Sequence, residues 1–224
     1  MLVSNPADKF KNLKEKQLIY LEDNFCFQMS EDIVKQCLEY AQGKAKYNDY
    51  LVKYRGANPL KLIDQDSYSK LAEFAAQEFI QLCGLKAETY QVDTKIYTPS
   101  QKSWSADLGG KIAVKSTSRD MVSYISRNRP GAQESWTFQF KNKNAPGGVD
   151  KEIFSPGQNN EQWVILATVS QEKITPDTNI WIRSFIKLNR ARELMQEPIK
   201  LANIGRTKCI YDDDLKRYQK ELVG

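Results

Sequence analysis

Residues 104–116, WSADLGGKIAVKS, and residues 135–143, SWTFQFKNK, decide the reading of this chain. In the first stretch the pair Gly109-Gly110 separates Asp107-Leu108 from the apolar run Ile112-Ala113-Val114. A Gly-Gly pair between β-prone segments predicts a hairpin turn. Side chains alternate along a strand, so Ala113 and Lys115 share one face while Ile112 and Val114 point the other way into a core. The hairpin then brings the Asp107 carboxylate and the Lys115 ammonium toward one end. Asp107 is a hard oxygen ligand suited to magnesium. Lys115 orients a water or offsets charge on a phosphate. In the second stretch Trp136, Phe138 and Phe140 alternate with Ser135, Thr137 and Gln139, the period of a half-buried strand.

Working outward, residues 119–131 carry Arg119, Arg127 and Arg129 beside the hairpin. Arginine makes bidentate contacts to phosphate and guanine, so these three are the expected DNA contacts. After the second stretch comes a long loop rich in Gly, Pro and Asn that begins with Lys141 and Lys143, expected to reach a DNA groove. Residues 163–169, WVILATV, are nearly all apolar and predict a central strand buried on both faces. Ile180-Trp181-Ile182 predicts another strand, Arg183–Met195 a helix, and Cys209–Tyr211 a short strand leading to a last helix capped by Asp212.

On the other side of the hairpin, residues 87–98 predict a strand, with Asp93 a rival to Asp107 as the site's acid. A helix capped by Asp66 or Ser67 runs through LAEFAAQEFIQL to Gly84. Ser30 caps an earlier helix over residues 30–42, with a second helical piece to about residue 54. The break at Arg55–Pro59 predicts a boundary within residues 56–66. Residues 1–60 form a mainly helical N-terminal part and residues 61–224 an α/β core with C-terminal helices.

Composition narrows the chemistry. The chain has 224 residues, 41% hydrophobic and 27% charged, which suits a folded domain large enough to bury a core. Net charge is +5, which permits a nucleic-acid partner without requiring one. No apolar run approaches a membrane span, so no membrane partner is expected. Residues 1–10 lack the apolar core of a signal peptide, and the expected compartment is the cytoplasm. The four cysteines are not spaced as metal ligands. There is no histidine. That excludes a catalytic triad built on histidine from this chain and leaves hydrolysis to carboxylates, lysine and metal.

Asp107 followed by Ala113-Val114-Lys115-Ser116 resembles the PD-(D/E)xK nuclease superfamily, also called restriction-endonuclease-like, in its type II restriction endonuclease branch. There an Asp on one strand is followed on the next by an acid, any residue and Lys. Asp107 matches the first acid and Lys115 the lysine. Ala113 departs from the pattern, standing where the second acid would be. Some branches carry a non-acid there and continue with Ser-Trp-x-Phe-Gln, which Ser135–Gln139 resembles. The similar core covers roughly residues 67–170. The resemblance implies an α/β fold with a mixed central sheet flanked by helices and an N-terminal helical part. It implies a Mg2+-dependent DNA endonuclease, with Mn2+ able to substitute, acting on double-stranded DNA as a homodimer. Asp107, Lys115, Glu73 and Gln139 would be the catalytic residues. Asp107, Glu73 and the backbone carbonyl of Val114 would hold the metal. The alternatives are a non-catalytic DNA-binding protein on a decayed nuclease fold, and a structure-specific repair or mobile-element nuclease.

Overall fold

The apolar run Trp163–Val169 (β5) is the strand around which the chain folds. It is buried from Val164 to Val169, as expected for a strand covered on both faces. The structure, a computed structural model, describes residues 17–47, 58–97, 107–122, 125, 129–139, 163–195 and 207–223. β5 pairs in parallel with β3 (Ile112–Ser118) and antiparallel with β6 (Ile180–Lys187). On its far edge β6 pairs with β1 (Leu18–Tyr20) and with β2 (Cys26–Phe27). The order β1-β6-β5-β3 is a mixed sheet. A separate two-stranded ribbon joins β4 (Ser135–Gln139) to β7 (Thr207–Tyr211).

Helices α1 (Glu31–Ala45) and α2 (Pro59–Leu82) pack on one face of the sheet. The small residues Ala72, Ala75 and Ala76 of α2 are fully buried, which lets the helix approach the strands closely. Phe79 then meets Phe25 and Phe185 edge-on, with ring centroids 5.3 and 6.3 Å away. The opposite face is covered by the β4–β7 ribbon, α3 (Leu188–Leu194) and α4 (Asp212–Val223). Trp136, Phe138 and Leu215 pack there with Ala113, Val164 and Leu166. The alternation expected for β3 is therefore present. Ile112 and Val114 join the first core and Ala113 the second.

The architecture is the α/β class expected, with a mixed central sheet, flanking helices and an N-terminal helical segment. Several local expectations are corrected. The helix expected from a cap at Asp66 or Ser67 begins earlier, with α2 starting at Pro59. Asn58 caps it, accepting from the Leu60 N–H at 3.0 Å. Pro59 occupies the first turn, where a missing N–H costs nothing. The helix expected from Ser30 to residue 42 runs on through Gly43 to Ala45, and Ile96 lies so close to the glycine that a side chain there would collide with it. The helix expected over Arg183–Met195 is shorter. β6 continues to Lys187, since Phe185 and Ile186 each find a partner on β5. The strand expected over residues 87–98 is a single 3-10 turn, Ala87–Thr89, followed by one bridge between Val92 and Leu108. The second helical piece expected to residue 54 lies outside the described residues. Residues 17–47 add two strands and a helix to the same layers as the later described residues.

Candidate active site at the outer edge of strand β3

β3 is the outermost strand in the order β1-β6-β5-β3. The predicted hairpin at its start is present. Leu108 and Ile112 exchange backbone hydrogen bonds of 2.9 and 3.2 Å around the turn. Gly109 and Gly110 have φ of +55° and +68°, the left-handed pair that a tight hairpin requires. A side chain at Gly109 would also strike the carbonyl of Thr89, so glycine is demanded there twice over.

The turn sets the phase of the strand. In an extended chain the N–H and C=O of one residue point to the same side, and successive residues alternate. Lys111 gives its carbonyl to Trp163 of β5. Ile112 turns both groups outward to Leu108. Val114, two residues on, also points outward, and its N–H donates to Asp107 Oδ2 at 2.7 Å. The Val114 carbonyl shares that outer side with the Asp107 carboxylate.

Glu73 comes from α2, near enough for the Asp107 charge to act on it. It is buried, and its carboxyl is pushed up to about 8, first by burial and then by the negative charge of Asp107. Lys70 and Lys44 oppose that rise. The Lys70 ammonium donates to Glu73 Oε2 at 2.6 Å and to the Asp93 carbonyl at 2.7 Å. It lies 4.4 Å from the centroid of the Tyr40 ring of α1. The Asp107 charge, from a segment 34 residues away, thus lies close enough to help raise the Glu73 carboxyl. Hard oxygen donors of this kind suit Mg2+ and Mn2+. Among the described residues no group of three or more His, Cys, Asp or Glu side chains gathers as cation ligands. A cation here would be held by Asp107, Glu73 and the Val114 carbonyl.

The remaining candidates are placed as follows. Lys115 projects on the opposite face of β3 from Val114, with its ammonium 5.8 Å from the centroid of Phe138. Its neighbour Ser116 faces α2, and its hydroxyl lies 3.1 Å from that of Ser69. Asp107 therefore approaches β3 along the outer edge and Lys115 over the face toward β4. Gln139 is the last residue of β4, in register with Thr207. Asp93, the rival first acid, turns its carboxylate to the Lys95 N–H and the Tyr97 hydroxyl in a local loop.

Ala113 is 1% exposed and sits among Trp136, Phe138 and Leu166. The second acid of the resembling family would stand in an apolar core here, where a carboxylate is strongly disfavoured. Arg119 stacks 3.7 Å over the Trp181 ring and pairs with Asp23 at 3.0 Å. Arg129 is held by Asp214 at 2.7 Å and Asp213 at 3.1 Å, over the Tyr211 ring. Arg127, Lys141 and Lys143 lie outside the described residues.

Sequence reading did not single out Lys70. Its signal was available, because Lys70 and Glu73 stand three residues apart on one helix, the spacing at which side chains meet. A second buried charge cluster was also missed. Glu134 and Arg183 are both buried, with Arg183 Nε 2.8 Å from Glu134 Oε2. Arg183 also donates to the Glu22 carbonyl at 2.7 Å and the Tyr20 hydroxyl at 3.1 Å, and it pairs with Asp23. Burial raises the Glu134 carboxyl, and the Arg183 guanidinium works against that rise.

Comparisons of the chain with protein-family models, with curated proteins and with solved structures find no match.

Proposed function

We propose that this protein is a metal-dependent DNA endonuclease of the restriction-enzyme type. The observation that carries the reading is the Glu73–Asp107 carboxylate pair at the outer edge of β3, beside the outward-facing backbone of Val114. The absence of histidine is compatible with this chemistry, which needs none. Asp107, Glu73 and the Val114 carbonyl would hold Mg2+ or Mn2+. When bound, the cation supplies positive charge to the phosphate and to the departing 3′ oxygen and acidifies a water. Hydrolysis consumes one water per bond: its oxygen joins phosphorus, the bond to the 3′ oxygen breaks, and that oxygen leaves as a hydroxyl. Lys115 and Gln139 are the residues proposed to steady the phosphate and the attacking water. Arg119, Arg127, Arg129, Lys141 and Lys143 are proposed as DNA contacts. A homodimer would place two such sites on the two strands of a duplex.

A second reading has a specific observation behind it. Ala113 is packed in an apolar core, at the position where the resembling family carries its second acid. A nuclease fold that binds DNA without cutting it would look this way. One experiment separates the two. Purified protein and its Asp107→Asn variant are incubated with varied duplex DNAs in Mg2+, in Mn2+ and in chelator, and binding is followed alongside cleavage. Discrete metal-dependent products that vanish in the variant support the endonuclease. DNA binding with no cutting in either metal supports the non-catalytic reading.

A further inference from the structure

We propose that Lys70 is the positioning residue of the carboxylate pair, fixing Glu73 so that it and Asp107 act together on one divalent cation. Three contacts define the ammonium, and each comes from a different part of the fold. Glu73 Oε2, on the same helix, is 2.6 Å away. The Asp93 carbonyl, from the segment leading to the hairpin, is 2.7 Å away. The Tyr40 ring, from α1, is 4.4 Å away. The three donors of a lysine ammonium thus meet a carboxylate, a carbonyl and a π face.

Lys70 is 5% exposed, so these contacts are shielded from competing water. The stem is packed as tightly as a core side chain, and the ammonium does not wander as a surface lysine does. Glu73 therefore has one oxygen committed to Lys70, and its other oxygen is the one it has to give. Charge-assisted hydrogen bonds of this length are strong and directional, which makes the orientation definite.

Asp107 is fixed in a parallel way by the Val114 N–H at 2.7 Å. Each acid of the pair is thus held by one donor, one from the helix and one from the strand. Outer partners of this kind typically change metal affinity by about 10–100-fold when removed. Lys115, over the other face of β3, is not the lysine in contact with Glu73.

The inference rests on the carboxylate pair being the cation site proposed above, and the test separates the two. Mn2+ binding to the full chain without DNA is measured by electron paramagnetic resonance at pH 7.5. Wild type is compared with Asp107→Asn, Glu73→Gln, Lys70→Met, and the Lys70→Met/Glu73→Gln pair. Thermal unfolding confirms that each is folded. The double variant removes both buried charges together and so protects the measurement against an unpaired buried acid.

The expected result is binding in wild type that Asp107→Asn removes, and binding weakened at least about tenfold by Lys70→Met. In the Glu73→Gln background Lys70→Met changes the affinity no further, because Lys70 acts through Glu73. If Asp107→Asn removes binding while Lys70→Met leaves it within about twofold, the Lys70 role falls and the cation site stands. If Lys70→Met weakens binding equally in both backgrounds, its role is structural and the inference is overturned. If wild type does not bind Mn2+, or Asp107→Asn binds as well, the cation site itself fails and the role of Lys70 with it.

Discussion

Glu73 is where the physical chemistry of the site is most exposed to test. Its carboxyl is raised from 4.5 to about 8 because burial and the Asp107 charge outweigh the pull of Lys70 and Lys44. A carboxyl whose value is higher folded than unfolded binds more protons in the native state. Its stabilising contribution is fully present below the unfolded value near 4.5 and is lost as pH rises toward 8. In chelator, the melting temperature of the wild type should therefore fall between pH 5 and pH 8 by an amount equivalent to a few kcal/mol. Glu73→Gln, which cannot ionise, should show a flatter profile over the same window. Equal slopes for the two proteins would mean that Glu73 stays charged in the fold. The same residue suits the proposed cation site: a divalent ion would offer the buried acid a partner that the proton otherwise supplies.

At the scale of elements, the hairpin before β3 is what delivers Asp107, and Gly109 is its tightest point. Gly84 gives an internal comparison, because it also has a positive φ, of +78°, yet has open space around it. Gly84→Ala should cost about 1–2 kcal/mol, the strain of a left-handed residue with a side chain. Gly109→Ala adds a collision with the Thr89 carbonyl, which must move if the turn is to survive. It should cost at least about twice as much in denaturant unfolding and should weaken any Asp107-dependent Mn2+ binding, since the turn positions that carboxylate. Equal costs at the two glycines would show that the turn gives way cheaply. Such elements were readable where one local signal ruled. The Gly-Gly pair, the apolar run of β5 and the Trp136/Phe138 alternation each point to one structure. Reading failed where two signals fitted the same residues. Residues 183–187 satisfy helical and strand spacing alike, and pairing with β5 decided for the strand. Pro59 was read as a stop, whereas Asn58 made it a start. In the site, the acids were legible as residue types. That Lys70 attends Glu73 while Lys115 lies against Phe138 depends on which face each element turns inward.

Over the whole molecule, the two sheet faces do different work. The face under α1 and α2 carries the carboxylate pair at its margin. The face under the β4–β7 ribbon is pinned by polar contacts. Trp136 Nε1 donates to the Ala167 carbonyl at 2.8 Å, where the β5–β6 register shifts. Asp212, at the start of α4, accepts the N–H groups of Gln133 and Glu134 at 2.9 and 3.0 Å. Glu134 in turn meets Arg183, which reaches the turn between β1 and β2 through Glu22 and Asp23. One buried guanidinium therefore joins the N-terminal strands, β6 and the ribbon. Such a pair contributes little net stability when intact, because both charges have left water, but breaking it strands the survivor. Arg183→Met should thus cost about 3–5 kcal/mol, which for a chain of this length lowers the melting temperature by roughly 10 °C. Glu134→Gln added to Arg183→Met removes the stranded acid. The double variant should be more stable than Arg183→Met alone, a sign that two independent sites cannot produce. Thermal unfolding of the four proteins at pH 7 decides the matter. If the two losses simply add, Arg183 acts through Glu22, Tyr20 and Asp23, and the ribbon is attached to the sheet by its apolar side chains.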